Sequence, residues 1–261
     1  MAKLPEDELR KLALKLRLYG LLANWGEIAK SPWVPKLLEM ERAERARRSH
    51  EYRLKNAKIG AFKDRSEFDW KHPTKADRLQ IDELFTLDFI GEGTNVVFVG
   101  PNGIGKTMLA RNLAYEAVSR GVSTRYTSAS DMLAALGGLT GSMLTQRLRR
   151  YTKAALLVVD ELGYLRYDSH LADLLYEVIS RRYDAEASTI ITTNKPFSEW
   201  NQVFEGAACV STMIDRLCHR VELVKLEGKS YRAKEAASLA KRKRAARTKR
   251  PPKKPRTTAS T

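Results

Sequence analysis

The most explicit chemistry in this chain lies in Gly100-Pro101-Asn102-Gly103-Ile104-Gly105-Lys106-Thr107, a Gly-x-x-x-x-Gly-Lys-Thr pattern. A short apolar strand, Asn95 to Val99, leads into it, and a helical pattern runs on from Met108 to Val118. Strand, loop and helix together specify a phosphate-binding loop. Gly100, Gly103 and Gly105 let the backbone bend tightly and turn successive N–H groups inward, where a Cβ would obstruct a phosphate. The helix opened by the loop presents its positive end to the same anion. Lys106 is placed to reach the outer phosphates and the Thr107 hydroxyl to ligate Mg²⁺. Residues 100–108, through Met108, are the expected nucleotide contacts, with ATP and Mg²⁺ as cofactors.

A second constellation completes a hydrolytic site. Ala155 to Val159 is an apolar run that ends in Asp160 and Glu161. A buried strand of a parallel sheet delivers such acids beside the phosphate loop, because ligands sit at the C-terminal edge of the strands. Asp160 would hold the Mg²⁺ shell and Glu161 would polarise the attacking water. Acids after a strand also serve as helix caps, so the reading depends on their coupling to the loop. A further strand, Ser188 to Thr193, ends in Asn194, whose side chain suits the attacking water or the terminal phosphate. Asn194-Lys195-Pro196-Phe197 lacks the aspartate of a guanine-reading Asn-Lys-x-Asp motif, which counts against a GTPase.

The elements that must position these groups alternate along the chain. Ser123 to Ser128 and Val221 to Leu226 read as two more strands. The fold class is therefore α/β: a five-stranded parallel sheet sandwiched by helices. Ser130-Asp131 starts a helix that breaks at Gly137-Gly138, and residues 139–153 look less regular, with Arg147, Arg149 and Arg150 close together. Repeated in an assembly, those arginines would meet DNA phosphates; they equally suit a solvated helix end. Arg216 falls in a helical stretch, Met213 to Arg220.

Upstream, Leu9, Leu12, Leu16 and Tyr19 recur at helical spacing from Glu6 to about Trp25. Ser31-Pro32 reads as a helix start for a charged helix reaching Gly60, in which Arg42, Arg45, Arg47 and Arg48 alternate with Glu39, Glu41 and Glu44. Such mixed charge suits a self-paired solvated face better than a DNA site. Phe68 and Trp70 would dock this helical part onto the next, and Thr74 to Ile90 reads as one further helix. The expected organisation is a helical domain at 1–67, a nucleotide domain at 68–232 and a disordered polybasic tail at 233–261.

Charge is concentrated in the appendages. Of 47 Lys and Arg and 31 Asp and Glu, residues 233–261 hold eleven against one and residues 1–70 sixteen against eleven, so residues 71–232 are near neutral. A net charge of +16 points to a polyanion, nucleic acid ahead of a membrane surface, although a tail of this kind also solubilises. Two cysteines and four histidines show no metal-ligand spacing and suit a reducing compartment. Acidic residues precede the first apolar run, against a secretory signal, and no apolar run is long enough to span a bilayer.

On these residues the chain resembles the IstB-like helper ATPases encoded beside the transposase in two-gene insertion sequences. They are relatives of the DnaC helicase loaders in the initiator branch of AAA+ proteins. The resemblance is carried by the phosphate loop, Asp-Glu-Leu-Gly-Tyr at 160–164, Thr-Thr-Asn at 192–194 and Ser-Tyr-Arg at 230–232. It implies an AAA+ ATPase without a separate lid domain, in which Asn194 is the first sensor. Arg216 would be the arginine finger for a neighbouring subunit's nucleotide, and Arg232 a second sensor touching nucleotide in its own subunit. It also implies a ring or spiral of identical subunits on double-stranded DNA, a cognate transposase as partner, and a bacterial cytoplasmic, nucleoid-associated location. A helicase loader holding single-stranded DNA shares the core motifs. A small-molecule kinase would leave Arg216, Arg232 and the basic tail without a role.

Overall fold

The computed structural model describes residues 5–248. The chain opens with three short helices, α1 (Glu6–Lys15), α2 (Tyr19–Ala23) and α3 (Trp25–Ile28), and a long α4 (Trp33–Ala57). One helix was expected from Glu6 to about Trp25. The left-handed backbone at Arg17, φ 53°, and the turn at Asn24 break it, so that Leu9, Ala13, Leu16 and Trp25 fold back onto Val34 and Leu38. This small apolar cluster is separate from the two that flank the sheet. At the start of α4 Pro32 is the capping residue, with no side-chain cap bond, so Ser31 does not play the role its type suggested.

The expected helix over 74–90 is likewise two, α5 (Arg78–Leu84) and α6 (Asp88–Gly91), divided where Leu87 turns to φ 69°. The nucleotide-domain core follows as β1 (Asn95–Val99), α7 (Lys106–Ser119), β2 (Thr124–Ser128), α8 (Ala129–Gly137), α9 (Gly141–Thr152), β3 (Leu156–Leu162), α10 (Ser169–Asp184), β4 (Ser188–Thr193), α11 (Trp200–Val203), α12 (Val210–Cys218) and β5 (Val221–Lys225). The five strands are all parallel, in the order β2-β3-β4-β1-β5. Strand alternation divides the core between two faces. Val96, Phe98, Leu156 and Val158 pack with α5, α6, α7 and the end of α4; Val97, Leu157, Val159 and Ile191 pack with α8 to α12. The stretch that looked irregular is the regular helix α9, held by Leu148 and Tyr151 in that second cluster.

No lid domain follows β5 among the described residues. Instead α13 (Tyr231–Thr248) continues the chain. The basic segment begins within α13, which is described to Thr248, and residues 249–261 lie outside the described part. Its alanine, lysine and arginine content favours a helix. Its first turns are tied down by the His72–Tyr231 ring contact and by the Lys63–Glu235 and Asp69–Lys234 ion pairs. No helix among the described residues is long and apolar enough to cross a membrane.

Candidate nucleotide site

The phosphate loop leaves β1 at the C-terminal edge of the sheet and opens α7. Gly103 and Gly105 take φ of 75° and 112°, a region in which L side chains are strained. They are also crowded from outside the loop: a Cβ on Gly103 would lie 2.3 Å from Ser230 Oγ, and one on Gly105 2.5 Å from the Phe68 ring. The Tyr231 N–H donates to the Gly103 carbonyl at 2.9 Å. Residues from both ends of the nucleotide domain therefore clamp the loop.

Lys106 is buried, and its Nζ donates to the carbonyl oxygens of Gly100 at 2.6 Å and Pro101 at 2.9 Å. Burial pushes its pKa down to about 8, against the pull of Asp160, which favours the charged form. A cavity of about 290 Å³ opens over the loop. Gly103, Ile104, Gly105, Lys106, Thr107 and Met108 form one wall, and Phe62, Phe68, His72, Tyr231, Arg232 and Glu235 form the other. Arg232 thus reaches the phosphate-loop cavity of its own chain. Gly100 and Pro101 contribute the carbonyls that hold Lys106; Asn102 sits in the loop outside this lining.

Asp160 is buried in the C-terminal half of β3, and three hydroxyls converge on it. Thr107 Oγ1 donates to Oδ1 at 3.0 Å, Thr192 Oγ1 donates to the same oxygen at 2.5 Å, and Tyr126 OH donates to Oδ2. Tyr126 in turn accepts from Arg111 Nε at 2.9 Å, while Arg111 Nη1 donates to the Ala61 carbonyl at 2.7 Å. Burial, with Asp160 adding to it, holds the Tyr126 phenol well above its usual pKa. The β3–β4 register slips between Val159 and Leu162, and Glu161 stands in this bulge at φ 62°. Its N–H donates to Thr192 Oγ1 at 2.9 Å, leaving its side chain exposed beside the buried Asp160. Thr192 therefore touches both acids, accepting from one residue's amide and donating to the other's carboxylate.

Asn194 follows β4, and its Oδ1 is buried without a hydrogen-bond partner among the described residues. An orphaned acceptor near the catalytic edge suits a group that meets its partner in a ligand or water. Arg216 lies elsewhere. Its guanidinium sits over the rings of Tyr176 at 5.3 Å and Tyr183 at 5.5 Å, beside a second cavity shared with Asn95 and Arg220. Asn95 begins β1 and Arg220 precedes β5, so this is the opposite edge of the sheet from the phosphate loop. Of the three basic residues on α9, Arg147 and Arg150 line a third cavity with Asp160 and Glu161, whereas Arg149 is exposed outside it. The sequence pointed to the acids but not to what holds them: Tyr126 carries no local signal, and Thr192 was visible only as part of Thr-Thr-Asn.

The family of IstB-like ATP-binding proteins matches residues 2–239. A protein of Geobacillus stearothermophilus named for insertion sequence IS5376 and for ATP binding is 37% identical over 214 residues, 82% of this chain and 85% of its own length. A Pseudomonas aeruginosa protein similarly named for insertion sequence IS21 is 34% identical over 199 residues, 76% of this chain and 75% of the relative. Among solved structures, DnaI superposes with a TM-score of 0.52 at 18% identity, over 66% of this chain and 90% of that one. AMPPCP-bound DnaA from Aquifex aeolicus gives 0.50 at 19% identity, over 72% and 59%. These two likenesses bear on the fold alone. With its phosphate loop, paired acids and parallel sheet, the chain belongs to the IstB-like ATP-binding proteins and is an ATPase with a P-loop AAA+ fold.

Proposed function

We propose that this ATPase assembles with copies of itself on double-stranded DNA and prepares that DNA for a transposase. The observation that carries the reading is the division of the catalytic groups between two edges of the sheet. Lys106, Thr107, Asp160 and Glu161 gather at one edge, while Arg216 stands at the other, so its contribution to hydrolysis requires a neighbouring subunit. Charge on the terminal phosphate then favours the arginine only when two subunits meet, which couples nucleotide state to assembly. Asn194 and Arg232 complete the site within one chain, as sensors of the bound nucleotide. The net charge of +16 supports a nucleic-acid partner, and relatives named for insertion sequences support a role in transposition, with a cognate transposase as the partner.

The donor set fits Mg²⁺. Thr107 Oγ1 and Asp160 Oδ1 are hard oxygen ligands 3.0 Å apart. Mg²⁺ at such sites is held by one or two protein oxygens together with substrate phosphates. Bound there, Mg²⁺ would neutralise charge on the transferred phosphoryl group. In this chain Lys106 would bind the outer phosphates, Glu161 would orient water and draw its proton, and Thr192 and Tyr126 would keep the Asp160 carboxylate in place.

The test pairs two variants. Lys106→Ala is expected to lose ATP binding and ATP-dependent assembly, while Glu161→Gln keeps both and loses turnover. Electron microscopy of the Glu161→Gln protein with ATP and duplex DNA should show an oligomer enclosing or lining the duplex. Native turnover in Glu161→Gln would overturn the catalytic assignment, and preferential binding of single strands would replace the transposition reading with that of a helicase loader.

A further inference from the structure

A further cavity, of about 700 Å³, is larger than the nucleotide cavity of about 290 Å³. It lies past the C-terminal ends of β2 and β3, between the end of α4 and the helices α8 and α9. Five cationic side chains line it: Lys58, Arg111, Arg125, Arg147 and Arg150. They come from α4's C-cap, α7, β2 and α9, so the fold rather than a local charge run gathers them.

We infer that this cleft is a binding site for the phosphate backbone of DNA on the folded body of the protein. The inference rests on the DNA-binding reading and says where the contact is made. The cations of the cleft differ from those of α4 in their pairing. Along α4, Arg42, Arg45, Arg47 and Arg48 are each paired to a glutamate three or four residues away. None of the five cleft cations is in an ion pair among the described residues. Arg111 and Arg125 spend single donors on the Ala61 and Asn56 carbonyls and Arg111 another on Tyr126, which fixes their heads in the wall. Lys58 and Arg150 are exposed and Arg147 half-buried.

Gathering like charges in one concavity is unfavourable without an anion, and a concave wall focuses their field on whatever occupies it. Three carboxylates, Asp131, Asp160 and Glu161, also line the cleft, and Asp160 is already held by three hydroxyls. An excess of two positive charges remains before any metal binds.

The rest of the lining is polar as well. Sites for small organic ligands are mainly apolar. Here Thr127, Ser128, Ser130 and the charged groups predominate, with Ile59 and Ala135 as the aliphatic side chains. Hydroxyls and unpaired cations suit phosphate oxygens, and contacts of that kind position DNA without reading its sequence.

Arg149 and Arg150 provide the test, being adjacent on α9 with equal charge, and only Arg150 lines the cleft. Binding of the full-length chain with ATP to a duplex is measured by anisotropy across a salt series. Arg150→Glu and Lys58→Glu are each expected to lower the slope of log K against log salt by about one and to weaken binding to all duplexes alike. Arg149→Glu should leave slope and affinity unchanged, and Arg150→Gln should reproduce the loss with less perturbation. The basic tail is present in every variant and cancels from the comparison. Equal losses in Arg149→Glu and Arg150→Glu would overturn the cleft while leaving DNA binding intact. Failure of the unmodified chain to bind duplex at all would instead overturn the functional reading on which the cleft rests.

Discussion

Thr192→Val removes one hydroxyl and changes shape little, yet it should separate turnover from nucleotide affinity. That hydroxyl accepts the Glu161 N–H at 2.9 Å and donates to Asp160. The Glu161 backbone is held at φ 62°, which costs a non-glycine residue roughly 1–2 kcal/mol. Without its acceptor, the Glu161 amide loses a bond whose absence in a buried setting costs about 1–3 kcal/mol. Nothing then opposes relaxation of the bulge toward ordinary strand geometry, which would turn the carboxylate away from the phosphate-loop edge. A bias of about 1.4 kcal/mol against the active arrangement lowers kcat about tenfold. Lys106 and the loop amides are untouched, and Thr107 and Tyr126 still hold Asp160 when the Thr192 bond is lost, so KM for ATP should change by less than about twofold. Thr192→Ser keeps the hydroxyl and should recover most of the rate. Steady-state ATPase assays with titration of a fluorescent ATP analogue give both quantities. An unchanged kcat in Thr192→Val, or a loss of affinity matching the loss of rate, would refute the role of this bond.

Three further perturbations probe the rest of the molecule. Burial lowers the Lys106 pKa to about 8, and a bound phosphate would raise it, so ATP binding should take up a proton above about pH 8 and none well below it. Calorimetry in buffers of different ionisation enthalpy checks this, and zero uptake at about pH 9 would contradict it. Arg182 is buried, its pKa pushed down to about 9 by that burial, and it donates to the Tyr151, Ala154, Ala155 and Ser188 carbonyls and to Thr189 Oγ1. Arg182→Met leaves these acceptors dry and unpaired and should cost at least about 3 kcal/mol in urea unfolding, a loss under about 1 kcal/mol counting against it. Arg216→Ala should bind ATP but turn it over poorly, and mixing it with Lys106→Ala should restore activity through interfaces that pair an intact loop with an intact arginine; co-assembly without rescue would exclude a shared site.

What the sequence made legible follows the range of the interactions involved. The phosphate loop, the acid pair and the five strands are written in contiguous residues, each with its own turn or alternation signal, and the structure has them in place. Helix breaks were missed where non-glycine residues, Arg17 and Leu87, adopt left-handed backbone, since nothing in their side chains announces it. Helix α9 looked less regular because what secures it is not local: Leu148 and Tyr151 hold it from across the core. The partners of Asp160 come from Tyr126 and Thr192, over thirty residues away on either side, so only the sheet order brings them together. The ion pairs that tie the start of the basic segment to residues 63 and 69 also join distant parts of the chain and left no local signal.

The clamp on the phosphate loop sets a condition on biosynthesis. Gly103 and Gly105 are packed by Ser230 and Phe68, and β1 lies between β4 and β5, so its second neighbour is the last strand to be made. A nascent chain that has released the loop but not residues 221–232 has β1 as an unfinished edge and a loop without its outer wall. Nucleotide affinity should therefore appear late and abruptly, as the final strand leaves the ribosome. Chains truncated before residue 221 should fail to retain a labelled ATP analogue, and those ending after residue 240 should hold it. Such timing would keep unfinished subunits from joining an ATP-dependent assembly, a quality control written into strand order.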